Sequence, residues 1–208
     1  EQPPAAVRAL DDAAGPGGDP AGYASAIVVN GGGRKQYVQL LTKGMVGVDA
    51  KTGQFLWRNK EVAKGPAQYF TPVSRNDYVY GGALGVGGVL VRVKSEGSGI
   101  TAEQVYFTRG LPNGIGGAVV VGDTIYGTEA GATLVAADLV TGKVRWQGKT
   151  IGWSSIASAD GLLFLHGING EVALVEATPE KFREKGRFTP PAQPKKKQVG
   201  PYPEGAFA

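Results

Sequence analysis

Residues able to act as nucleophiles, general bases or metal ligands are sparse in this chain. It has one His, His166, and no Cys, which removes thiol nucleophiles, disulfides and Cys-ligated zinc. A single imidazole with no spaced carboxylate pair does not build a metal cluster, so His166 reads as a structural or exposed residue. Asp77, Asp123 and Asp160 each precede an apolar run and read as turn residues rather than ion ligands. Glycine is abundant, yet no Gly-x-Ser-x-Gly, P-loop or Gly-x-Gly-x-x-Gly pattern occurs. Gly31–Gly33 and Gly81–Gly88 run into strand-like segments, so they read as hairpin turns and not as phosphate cradles, which need a following helix. Lys195–Lys197 lies among prolines, just after Lys181, Arg183, Lys185 and Arg187. Without an aromatic pattern for stacking bases it reads as a solvated loop, and no nucleic-acid partner is expected. Trp153, which opens an apolar run, is the best-placed aromatic to offer a flat stacking platform.

The elements that must carry these residues follow from composition. Of 208 residues, 34 are Gly and 13 are Pro, while 42% are hydrophobic. That mixture excludes a disordered tail protein and a helical bundle, and favours many short strands joined by Gly turns. A net charge of +4 is too mild to imply an anionic polymer as partner. No apolar run approaches the ~18 residues of a membrane-spanning helix, so no transmembrane segment is expected. Residues 1–22 are rich in Ala, Pro, Gly and Asp and read as a low-complexity linker, and residues 189–208 as a Pro/Lys-rich loop. The first residue is Glu1 and the only Met is Met45, so the chain is expected to be processed or a fragment.

Between those flanks the chain repeats. Tyr37 to Trp57 aligns with Thr124 to Trp146: each runs from an aromatic strand through a Gly turn and a second apolar strand into Asp-x-x-Thr-Gly-x-x-x-Trp. Weaker copies run from Asp77 to Phe107 and from Gly161 to Phe188. The closing aromatics Trp57, Phe107, Trp146 and Phe188 are 50, 39 and 42 residues apart, which suits a four-stranded propeller blade of roughly 40–50 residues. An apolar strand precedes each copy, at Ala26–Val29, Tyr69–Val73, Ala118–Val121 and Trp153–Ile156, reading as a strand buried on both faces. Pro179–Glu184 offers at most one short helical turn. The fold expected is all-β, with about four blades at about 23–58, 69–108, 115–147 and 153–188, and a further blade starting near Gly205–Ala208.

Turn chemistry explains the motif. Asp49 and Asp138 can accept hydrogen bonds from backbone N–H groups two or three residues on, with Thr52 and Thr141 completing the turn. Gly53 and Gly142 permit the positive φ of a hairpin with a bulge. Trp57 and Trp146 are then placed to wedge against the neighbouring blade, each indole N–H on a backbone acceptor. These eight residues read as a blade-docking scaffold, and no catalytic residue is expected.

Ala136-Ala-Asp138-Leu-Val-Thr141-Gly142-Lys143-Val-Arg-Trp146 matches fully the Ala-x-Asp-x-x-Thr-Gly-Lys-x-x-Trp repeat of the pyrroloquinoline quinone (PQQ) propeller family. Gly47-Val-Asp49-Ala-Lys-Thr52-Gly53-Gln54-Phe-Leu-Trp57 resembles it too, departing at the first Ala and at the Lys. The resemblance is to uncharacterised bacterial PQQ-like repeat proteins. It implies a partial ring, the C-terminal half of a seven- or eight-bladed propeller. It further implies a non-catalytic binding or scaffolding module in the periplasm or otherwise outside the cytoplasm, whose partner is a protein or the missing blades. Under the alternative, part of a quinoprotein alcohol dehydrogenase, PQQ and Ca2+ are the cofactors and Trp153 lies against the quinone. The lack of Cys and the scattered carboxylates lead us to expect no cofactor.

Overall fold

The computed structural model describes residues 18–63, 68–129 and 131–191. Residues 1–17, Lys195–Lys197 and Gly205–Ala208 therefore lie outside the described residues, and with them most of both flanks and the start of a further blade. The described residues form sixteen strands and no helix. Two compact units divide between Arg109 and Gly110, and each contains two four-stranded antiparallel sheets whose strands follow chain order. Such short meanders are what frequent Gly turns between short apolar runs impose. The described residues are therefore all-β, with four four-stranded antiparallel sheets of the kind that form propeller blades.

The first unit holds β1 (Ile27–Gly31), β2 (Arg34–Leu41), β3 (Gly44–Asp49) and β4 (Phe55–Asn59), then β5 (Val73–Arg75), β6 (Tyr78–Ala83), β7 (Gly87–Glu96) and β8 (Gly99–Thr108). Both sheets bury apolar side chains, Val38, Leu40 and Met45 in the first and Val79, Tyr80 and Leu90 in the second. The Met45 sulfur lies 3.0 Å from where a Cβ on Gly81 would stand. Asn59 in β4 donates to the Gln104 side chain in β8 at 3.1 Å. The last part of the expected linker is structured. Asp19 accepts from the Lys43 N–H and pairs with Arg58, while Ala21 bridges Leu41.

The second unit holds β9 (Ala118–Val121), β10 (Thr124–Thr128), β11 (Thr133–Asp138) and β12 (Val144–Lys149), then β13 (Ser154–Ala159), β14 (Leu162–Gly167), β15 (Val172–Glu176) and β16 (Glu184–Phe188). Tyr126, Leu134, Ala136 and Trp146 of its first sheet form one core with Leu163, Leu165, Ala173 and Val175 of the next.

Three expectations need correction. The opening strands β1, β5, β9 and β13 are half-buried or exposed along much of their length, and burial concentrates in second and third strands such as β6, β10 and β11. An opening strand is an edge with a hydrogen-bonded neighbour on one side only, whereas the middle strands are flanked on both. β5 also starts only at Val73, because Pro72 has no N–H for the ladder. Next, the closing aromatics are misaligned. A β-bulge falls at the same place in each sheet, pairing Gly47 with Trp57, Leu90 with Tyr106, Ala136 with Trp146 and Leu174 with Gly186. The counterparts of the two Trp residues are therefore Tyr106 and Gly186; Phe107 and Phe188 lie beyond them. Finally, Pro179–Glu184 forms no helical turn: residues 179–183 are a loop that brings Phe182 onto the preceding sheet, and Glu184 opens β16.

Candidate functional site

The two Asp-x-x-Thr-Gly turns are built alike. The Asp49 carboxylate accepts from the Lys51 N–H at 2.9 Å, the Thr52 N–H at 2.8 Å and the Thr52 hydroxyl at 3.0 Å. Asp138 accepts from the Thr141 N–H and hydroxyl, both at 2.9 Å, and from Arg145 Nη2 at 2.8 Å. Gly53 and Gly142 close the turns at φ +70° and +69°, where a side chain would be strained. In each case the Gly N–H returns to the Asp carbonyl. The Thr N–H bond is the largest influence holding each carboxyl below the usual aspartate range, outweighing the opposing effect of burial.

The indoles then diverge. Trp57 lies over Gly47, so close that a Cβ there would run into the ring. Its N–H donates at 2.7 Å to the buried Gln36 side chain, which in turn donates at 2.9 Å to the Gly31 carbonyl. The backbone acceptor expected for Trp57 is thus replaced by a side chain of its own sheet. Trp146 does reach a backbone acceptor, the Thr178 carbonyl at 2.7 Å, in the loop between β15 and β16. From that loop Phe182 meets Trp146 edge-on at 5.7 Å and covers Gly148. Trp146 therefore joins two sheets.

Sequence reasoning missed Gln36, Phe182 and Thr178. Gln36 carried a signal: Gln36, Val38 and Leu40 alternate on one face of β2, so a polar residue on that buried face needed a partner. Phe182 and Thr178 sit in a loop without periodicity, where no such signal exists.

Residues considered for cofactor chemistry stay apart. Trp153 is half-buried just before β13, its carbonyl accepting from the Ile168 N–H at 3.0 Å. Asp77 accepts from the Gly32 N–H at 3.0 Å, and Asp160 sits in a hairpin at φ +50°. His166 is exposed on β14. Among the described residues no three His, Asp or Glu side chains gather to hold a metal ion. A calcium-bound quinone needs several carboxylate or amide ligands around one ion, and this donor set does not fit it.

An apolar surface is the remaining feature. On the last sheet, Leu163, Leu165, Ala173 and Val175 face the core, while the opposite face carries Phe164, Leu174 and Phe188. Phe188 is 54% exposed and Phe164 38%. Gly186, the counterpart of the two Trp residues, has open space where a Cβ would stand. An exposed patch of this kind marks an interaction site more often than chance.

Against known proteins, the family model described as outer membrane protein assembly factor BamB matches residues 16–148. No curated protein sequence matches. Among solved structures, BamB from Moraxella catarrhalis is similar with a TM-score of 0.62 at 15% identity, over 81% of this chain and 49% of that one. A computationally designed protein, Ika8, gives 0.54 at 15% identity, over 79% and 50%. A europium-containing methanol dehydrogenase gives 0.48 at 17% identity, over 76% and 40%. The chain spans about half the length of these structures or less, and at such identities the likeness is one of fold.

Proposed function

This chain belongs to the PQQ-type propeller family whose model is described as outer membrane protein assembly factor BamB, and from that membership we propose a non-catalytic module that binds or scaffolds protein outside the cytoplasm. The observation that carries the reading is the apolar outer face of the β13–β16 sheet, with Phe164 and Phe188 open to solvent and Leu174 half-buried beside Gly186. Within the second unit the same kind of sheet face is covered by the next sheet and by Phe182. Its counterpart on the last sheet is therefore suited to a further blade of the same ring or to a protein partner. The family description supports both a protein partner and a location beyond the inner membrane.

No step of quinone chemistry is assigned, because the carboxylates available are engaged in separate hairpins. Titration of the protein with PQQ and Ca2+, followed by Trp fluorescence, tests the reading. The expected result is no tight, Ca2+-dependent change. Saturable quenching that disappears on chelating Ca2+ would overturn the scaffold in favour of a dehydrogenase segment.

A further inference from the structure

We propose that Ser154 binds one buried water molecule between the inner edges of the two sheets of the second unit. Ser154 opens β13 with 2% of its surface exposed, and its hydroxyl has no hydrogen-bond partner among the described residues. Buried hydroxyls are almost always bonded, to protein or to ordered water. Beside it lies a cavity of about 10 Å3, the space that a single water occupies.

The walls supply what a water needs. Ser154 and Ser155 come from β13, His166 and Gly167 from β14, and Ile115 and Gly116 from the segment leading into β9. Main-chain groups of these segments, together with the Ser154 hydroxyl, provide the two to four polar partners that hold an internal water in place, while the Ser155 and His166 side chains stand on the opposite, exposed face of the sheet. The cavity does not close up to dispense with it. Gly116 already meets the Ser154 carbonyl so closely that a Cβ on Gly116 would overlap it, which sets the separation of the two edges. Larger ligands do not fit the volume, and with no carboxylate in the walls a small cation has no counter-charge. The bound water thereby adds a second polar link, beside the Trp146 to Thr178 hydrogen bond, to a contact built mainly on the apolar core around Leu163 and Trp146.

The test needs the intact chain and its Ser154→Ala variant. Crystals diffracting well enough to place solvent should show one water within hydrogen-bond distance of Ser154 Oγ. Oxygen-17 relaxation dispersion in solution should count one long-lived water fewer in the variant. The melting temperature discriminates by sign: it falls in S154A if the hydroxyl is bonded through water, and rises if the hydroxyl is buried without a partner. A cavity without density, or an unchanged count of long-lived waters, overturns the proposal. Should S154A fail to fold, the density beside Ser154 in the unmodified protein decides by itself.

Discussion

Trp57 in the first unit and Trp146 in the second end the same motif after nearly identical turns, yet they do different work. Trp57 is satisfied inside its own sheet, stacked on Gly47 and bonded to Gln36. Trp146 is satisfied by the loop of the next sheet, through the Thr178 carbonyl and Phe182. The motif therefore specifies a turn and a large ring facing outward, while the small residue opposite decides how the ring lies. Gly47 lets the indole fall flat against the strand. Ala136 keeps it raised and directed at the neighbouring sheet. The departure from Ala at position 47 is thus a packing choice rather than a degenerate copy.

The largest effect expected is that of Trp146→Ala. The ring is 8% exposed and sits in the core joining the two sheets, so its removal should cost ~3–5 kcal/mol as lost burial plus a cavity. Urea unfolding monitored by circular dichroism measures this. A loss under about 1 kcal/mol would mean that Trp146 does not hold the sheets together, since core truncations of this size are seldom so cheap.

A milder pair of substitutions attacks the comparison itself. Trp57→Phe removes the N–H and leaves the Gln36 carbonyl oxygen, in a fully buried side chain, without its donor. Trp146→Phe leaves the half-exposed Thr178 carbonyl, which water can reach. An unsatisfied buried acceptor costs about 1–3 kcal/mol, so Trp57→Phe should destabilise more than Trp146→Phe by at least ~1 kcal/mol. Equal losses would show that the two indoles are held in equivalent ways.

Much of this architecture was legible in the residues, for physical reasons that also explain what was not. Asp, Thr and Gly at fixed offsets encode a turn locally, so Asp49 to Gly53 and Asp138 to Gly142 need no tertiary information. The blade period follows from the same spacing. The bulge does not: the residue paired at the bulge, as Trp57 is with Gly47, is Tyr106 and not Phe107, and nothing in composition announces it. Apolar character alone was equally misleading for the opening strands, because Ala118–Val121 is apolar yet only half-buried at the edge of its sheet. The apolar outer face of the last sheet was latent in the alternation of Phe164 with Leu163 and Leu165, but which of the two faces is covered depends on the neighbouring sheet.

The smallest effect concerns the two carboxylates, and it separates the turns by charge rather than by packing. Both are held below the ordinary aspartate value of 3.8, chiefly by the Thr N–H bonds. A carboxyl whose folded value is depressed binds fewer protons in the folded than in the unfolded state while the pH lies around and between the two values. Its contribution is therefore complete above the ordinary aspartate value and is lost as pH falls through the folded value. Urea midpoints recorded from pH 5 down to pH 2 should drop along this limb, and Asp49→Asn and Asp138→Asn should each flatten it. The exposed pairs of Glu103 with Lys94 and of Glu176 with Lys185 titrate in the same direction, which is why the variants and not the bare profile carry the test. Added salt then distinguishes the two. Asp138 has Arg145 at 2.8 Å, whereas Asp49 has Arg34 only at 3.6 Å and is itself buried. Exposed ion pairs are screened while backbone hydrogen bonds are not, so 0.5 M salt should shrink the effect of Asp138→Asn and leave that of Asp49→Asn nearly unchanged. Identical salt responses would reduce the difference between the two turns to the indoles alone.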